Sequence, residues 1–119
     1  MPLPKDAAKF AEPLDPSDVL PFLVDLTTML PPGQGVSAIT VEPSLESAAL
    51  GLQVGTGAMA PSQPQPVEVV FWPLVTDNKK TSNSWQNDGT DVALEITVVT
   101  DANPPQTLQR SVILTVRER

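Results

Sequence analysis

Val92-Ala93-Leu94-Glu95-Ile96-Thr97-Val98-Val99-Thr100 sets Val92, Leu94, Ile96 and Val98 in alternation with Ala93, Glu95, Thr97 and Val99. A period of two marks a strand with one buried and one wetted face. The pattern returns over residues 108–117, where Leu108, Val112, Leu114 and Val116 oppose Ser111, Thr115 and Arg117. Residues 101–106 between the runs contain Pro104 and Pro105 and read as a turn. The two runs therefore predict an antiparallel hairpin with Leu94, Ile96, Val112 and Leu114 buried.

Upstream, Leu20, Phe22, Val24 and Leu26 alternate with Pro21, Leu23 and Asp25. A proline inside the run places that strand at a sheet edge. Residues 36–42 set Ile39 and Val41 against Ala38, Thr40 and Glu42, and residues 67–75 are rich in β-branched and aromatic side chains. Leu50, Leu52 and Val54 read as a further strand, or residues 44–50 as one helical turn capped by Ser44. The fourteen prolines exclude a helical domain, because each fixes φ and removes a backbone donor. Eleven of them punctuate the chain in groups, at 2, 4, 13 and 16, at 31 and 32, at 61, 64 and 66, and at 104 and 105. The expected fold is all-β: an immunoglobulin-like antiparallel β-sandwich of about six or seven strands over residues 17–119. An extended proline-bearing N-terminal arm over residues 1–16 precedes it.

A chain of 119 residues supports one domain with one core. The hydrophobic fraction of 40% is enough to build that core, and the aromatic fraction of 4% makes it aliphatic. No apolar run reaches the roughly 18 to 20 residues of a membrane span, and residues 1–10 lack the apolar stretch of a secretory signal. The expectation is a chain made and kept soluble in a cytoplasm, with no membrane partner. Cysteine is absent, which excludes disulfides, thiolate metal sites and cysteine nucleophiles. Histidine is absent too, removing the commonest general base and transition-metal ligand. A net charge of −7, with no basic cluster beyond Lys79-Lys80, repels phosphate backbones. Nucleic acid is thus not an expected partner, no cofactor is expected, and an enzyme is disfavoured.

The remaining motifs read as structure. Gly55-Thr56-Gly57-Ala58-Met59-Ala60 spells the dinucleotide fingerprint, but Pro61, Pro64 and Pro66 forbid the helix whose N-terminus would hold a pyrophosphate. Asn87-Asp88-Gly89-Thr90-Asp91, with Asp77 and Asn78, offers oxygen ligands to a hard cation, yet in no EF-hand spacing and in the composition of a tight turn. Asp15-Pro16-Ser17-Asp18 reads as a turn into the first strand rather than as a carboxylate pair with Asp25. Lys79-Lys80-Thr81-Ser82 lacks the third group that a lysine-activated hydroxyl requires. Segment 76–90 is long for a hairpin connection, and such loops carry recognition. Trp72 and Trp85 suit core or interface packing. Leu3, Phe10 and Leu14 are the apolar side chains through which the arm would dock. These five are the candidate partner contacts.

Two stretches carry a family resemblance. Asp15-Pro16-Ser17-Asp18-Val19-Leu20 running into Val24-Asp25 resembles the acidic lead-in to the first strand of the fiber-tail adaptors, small bacteriophage structural proteins. Ile96-Thr97-Val98-Val99-Thr100, followed after a turn by Arg110-Ser111-Val112-Ile113-Leu114-Thr115-Val116-Arg117-Glu118-Arg119, resembles their closing strands. Members carry a Gly-Gly turn before the penultimate strand, where this chain has the longer segment 78–89. The resemblance implies a single immunoglobulin-like domain and a virion component made in the host cytoplasm. It would be present in several copies around the tail, joining a fiber or tailspike to the tail hub. A capsid decoration or head-completion protein is compatible with the same sandwich, and a carbohydrate-binding module is the alternative from another class.

If residues 87–91 form a turn and hold no ion, EDTA leaves the melting temperature unchanged. A clear fall on chelation would place a cation there.

Overall fold

The computed structural model describes residues 8–26, 30–31, 33–63 and 68–118. Its frame is the expected C-terminal hairpin, β7 (Thr90–Thr100) and β8 (Thr107–Val116), antiparallel from Thr90↔Val116 to Val99↔Thr107. The period of two puts Val92, Leu94, Ile96 and Val98 on one face beside Val112, Leu114 and Val116, and all seven are buried. β3 (Val36–Pro43) pairs antiparallel with β7, with a bulge between Val36 and Ala38. β1 (Ala8–Lys9) lies parallel to the other edge of β8, giving a sheet of order β1-β8-β7-β3.

The opposing layer contains β2 (Phe22–Asp25) paired antiparallel with β5 (Glu68–Phe71), and β4 (Leu52–Val54) paired antiparallel with β6 (Pro73–Val75). Only Trp72 separates β5 from β6. Val70 exchanges two backbone hydrogen bonds with Ser62, at 2.8 and 2.9 Å, while Leu23 faces it from β2. Gly55 N donates to Trp72 O at 2.8 Å. The β5–β6 run therefore has β2 along one edge and residues 52–62 along the other. Leu52, Val69, Phe71 and Val75 are buried and join the hairpin residues in one aliphatic core between the layers. The fold is all-β, mostly antiparallel and sandwich-like.

Both readings of residues 44–54 hold, in succession. Pro43 has no N–H to continue a ladder, and Ser44 caps α1 (Leu45–Ala49), its Oγ accepting from Ser47 N at 3.2 Å. Ser47 Oγ, buried, accepts from Ala93 N at 3.0 Å, and Ser44 N donates to Ala93 O at 2.9 Å, so α1 is pinned to β7. β4 follows after Gly51, whose φ of 106° favours glycine.

Residues 8–16 are not an arm standing off the sandwich. Phe10 N donates to Ile113 O, Leu14 N to Thr115 O and Arg117 N to Leu14 O, each at 2.9 Å. Leu14 is 0% exposed and Pro16 is buried. The prolines do not prevent this, because the donors on the β8 edge are Phe10 and Leu14, and Pro13 lies between them. Residues 1–7, including Leu3, lie outside the described residues.

Truncating a fully buried aliphatic side chain costs about 2 to 5 kcal/mol. Leu14→Ala and Ile96→Ala are both expected in that range by urea denaturation, and deleting residues 2–14 lowers the melting temperature. A Leu14→Ala cost below about 0.5 kcal/mol, within the scatter of surface changes, would return residues 8–16 to the status of an appendage.

Candidate partner-binding surface

Between Leu14 on β8 and Phe22 in β2 the chain crosses from one layer to the other. The crossing is the acidic turn read from the sequence. Asp18 N donates to Asp15 O at 2.8 Å, Ser17 N to Asp15 Oδ1 at 2.8 Å, and Asp15 N to Asp18 Oδ2 at 3.1 Å. Both carboxylates are spent on backbone N–H groups, which is turn chemistry rather than acid catalysis. The turn delivers Val19, Leu20 and Leu23 to the surface at 52%, 45% and 49% exposure. The other exposed large aliphatic among the described residues is Leu45, at the start of α1.

Because β1 bonds into one sheet and β2 into the other, the layers part along this side. A groove of about 450 Å3 opens there, lined by Phe10, Ala11, Glu12, Pro13, Leu20, Pro21, Phe22 and Leu23. A smaller hollow of about 190 Å3, lined by Lys9, Val24, Asp25 and Val112, shares Phe10 and Leu23 with it. The aromatic wall is packed ring on ring: Phe10 meets Phe22 edge-on with centroids 4.9 Å apart, and Phe71 stands 5.9 and 6.2 Å from the two. Contiguous exposed apolar surface of this kind marks a protein contact more often than a scattered leucine does.

Acid dominates the rim. Glu12 is exposed on the groove wall, and Asp25 lies directly opposite Glu68 across the β2–β5 pair. Lys9 Nζ is held 3.1 Å from Asp91 Oδ2, while Thr115 Oγ1 donates to Asp91 Oδ1 at 2.6 Å. The Thr115 hydrogen bond holds the Asp91 carboxyl below the usual aspartate range; burial opposes it, and the hydrogen bond and charge of Lys9 add to the lowering. This cluster ties β1, β8 and β7 together.

Of the five side chains read as partner contacts four are described, and among these Phe10 alone lies in the groove. Leu14 and Trp85 are 0% exposed and belong to the core, so Leu14 is not the docking contact expected of it, and Trp85 takes the core packing that was one of its two readings rather than the interface. Trp85 Nε1 donates to Lys79 O at 2.8 Å, and Trp85 O accepts from Glu118 N at 2.7 Å. Segment 76–90, read as a recognition loop, is thus a corner folded around a buried tryptophan, with Lys80 paired to Asp77 at 2.9 Å. Trp72 is half-buried between β5 and β6. Leu3 lies outside the described residues.

Gly57–Met59 makes a single 3-10 turn; a Cβ on Gly55 would fall 2.7 Å from Met59 Cβ, so Gly55 serves close packing, whereas Gly57 has open space around it and a φ of 61° that favours glycine. Asn87 and Gly89, at φ 60° and 75°, make the turn expected at 87–91. Among the described residues no group of three or more Asp or Glu converges as metal ligands.

Sequence reading missed Val19, Leu20 and Leu23. The alternation grouped Leu20 with the inward residues, but β2 begins only at Phe22, after Pro21. Leu23, a leucine in the wetted phase of the run, was the legible signal.

A carboxylate whose pKa is depressed by folding contributes stability above its unfolded pKa, and that contribution fades as pH falls through the folded value. Asp91→Asn is therefore expected to lower the melting temperature at neutral pH, with the gap from the parent closing below about pH 4. A gap that is constant with pH would show that the charge of Asp91 does not contribute.

Comparison of the chain with protein-family models, with curated proteins and with solved structures finds no match in any of the three.

Proposed function

We propose that this chain is a non-enzymatic protein-binding module, acting as a structural adaptor in a bacteriophage tail that joins fibers or tailspikes to the tail hub. The observation that carries the binding reading is the exposed Val19, Leu20 and Leu23 cluster beside the phenylalanine-walled groove. Such a surface is costly to leave in water and is covered by a partner.

The finer fold reading is an immunoglobulin-like sandwich. In support, β3, β7 and β8 share one sheet, while β2, the β5–β6 run and β4 make the other layer. Counting the β5–β6 run as one strand, this is the partition of third, sixth and seventh strands against second, fifth and fourth. The first strand lies on the last. The tail assignment rests on the resemblance of residues 15–20 with 24–25, and of residues 96–100 with 110–119, to fiber-tail adaptors; residues 15–25 form the acidic turn with β2, and residues 96–100 and 110–116 lie in the two strands of the hairpin. Several copies in the virion, synthesised in the host cytoplasm, follow from the same resemblance.

Leu20→Lys and Leu23→Lys alter exposed side chains, so each variant is expected to fold with a melting temperature close to that of the parent. In a phage whose own copy is deleted, both are expected to be lost from purified tails, as counted by mass spectrometry. Normal incorporation of both would remove this surface from the attachment. Recovery of the parent protein on heads alone would place it with the capsid proteins.

A further inference from the structure

We propose that the outer edge of β3 is a strand-addition site. It takes a short extended segment of a partner polypeptide, apolar at alternate positions and carrying a lysine or arginine beside them. The site lies at the opposite edge of the four-stranded sheet from the groove beside β1. It therefore goes beyond the reading above, which gives one partner a surface and leaves the adaptor's other partner without one.

The phase of the hydrogen bonds gives the first argument. Ala93 O accepts from Ser44 N at 2.9 Å and Ala93 N donates to Ser47 Oγ at 3.0 Å, so both backbone groups of Ala93 face the β3 side of β7. Alternation along β7 turns Glu95 and Thr97 the same way, to bond with Glu42 and Thr40. The N–H and C=O of Ile39 and Val41 consequently point away from β7. No strand pairs with β3 on that side, and among the described residues neither Ile39 nor Val41 has a backbone partner there. Such an edge is a template for another strand. The features that blunt an edge stand only at its ends, as the bulge between Val36 and Ala38 and as Pro43, which has no N–H to offer.

The surface beside the edge gives the second. A groove of about 510 Å3 adjoins it, with Val41 and Pro43 of β3 on one side and Leu52 and Val54 of β4, Met59 and Leu74 among its other lining residues. Residues directly opposite each other in a sheet share a face. A partner residue opposite Val41 therefore sends its side chain toward this groove, and its neighbour lies on the outer face beside the exposed Thr40 or Glu42. The unbranched thioether of Met59 lets the groove fit side chains of different shape. Main-chain pairing then supplies affinity, and the pocket for alternate side chains supplies specificity.

Charge selects the occupant. Glu42 and Glu95 stand directly opposite each other on the outer face of the sheet, both exposed. Glu95 accepts from an uncharged donor, Gln109 Nε2 at 3.3 Å, and among the described residues no lysine or arginine is paired with either carboxylate. Like charges so placed destabilise the pairing. A residue added opposite Glu42 emerges on that same face, so a lysine or arginine there relieves the pair while its neighbour opposite Val41 enters the groove. The edge strand of a second copy supplies no such group, because residues 36–43 contain neither lysine nor arginine, and the net charge of −7 repels it.

The test uses the full chain as bait for a displayed library of random peptides of about nine residues, long enough to span a typical strand. Enriched peptides are expected to hold Lys or Arg next to the first of two apolar residues spaced by one. In the free protein the amides of Ile39 and Val41 are expected to exchange hydrogen faster than those of Thr40 and Glu42, and a synthetic copy of an enriched peptide is expected to slow them. Glu42→Lys, at an exposed position, is expected to melt close to the parent and to bind that peptide at least about tenfold more weakly, a difference of about 1.4 kcal/mol. Leu23→Lys is expected to bind it as the parent does. No enrichment, or a bound peptide that leaves the Ile39 and Val41 amides unchanged, overturns strand addition, and undiminished binding by Glu42→Lys overturns the basic occupant. A peptide lost with Leu23→Lys and kept by Glu42→Lys belongs to the groove beside β1, so the protein-binding reading stands without this site. Self-association in the ultracentrifuge that slows both amides makes the occupant a second copy. Either result overturns the proposal.

Discussion

The antiparallel pairing of β7 with β8 is the constraint from which the other contacts follow, because each strand of the hairpin presents a second edge and the hairpin's inner face is the floor of the core. The outer edge of β7 takes β3 and, beyond Pro43, the serine cap of α1. The outer edge of β8 takes β1 and Leu14. Even the approach to the hairpin is fixed by it. A Cβ on Gly89 would collide with Val116 O and lie 2.9 Å from Arg117 Cα, so only glycine lets the turn close against the end of β8. Trp85 accepts from Glu118 just beyond that end. A slip of β7 by one residue would turn its four buried side chains, Val92, Leu94, Ile96 and Val98, to the other face and break its pairing with β3.

Legibility in the sequence tracked how much each segment depends on its own pattern. Strands with one buried face write that face into alternate positions, which is why Leu94, Ile96, Val112 and Leu114 were identifiable as core. Residues 8–16 carry no such pattern. Their place is set by β8, and a single buried Leu14 between prolines does not announce itself. Segment 76–90 is organised by one large side chain whose indole donates to a carbonyl six residues upstream, a relation without periodicity. The apolar surface at Val19, Leu20 and Leu23 was hidden for a different reason. Leu20 alternates with Phe22, Val24 and Leu26 and so reads as core, and only Leu23, out of phase with them, marks the exposed side.

The scarcity of aromatic residues makes their placement informative. All three phenylalanines of the chain, Phe10, Phe22 and Phe71, meet at the side where β1 and β2 diverge. Elsewhere the core is built from Val, Leu and Ile, with Trp85 as its one large ring. Branched aliphatic side chains pack a closed two-layer core well, whereas flat rings can wall an opening without collapsing into it. The chemistry of the interior thus changes where the sandwich is open.

The parallel course of β1 and β8 also has a mechanical meaning. Strands joined in parallel have their leading ends on the same side, so tension drawing residue 8 and residue 118 apart slides the two along each other. The bonds from Phe10 to Ile113, from Leu14 to Thr115 and from Arg117 to Leu14 are then loaded together in shear, not opened one after another as in a pulled hairpin. The Lys9 and Asp91 pair crosses the same seam and resists the same displacement. A chain tethered at its two ends would therefore load these bonds as a set, while a pull on β2 alone would open its four-residue pairing with β5 from one end.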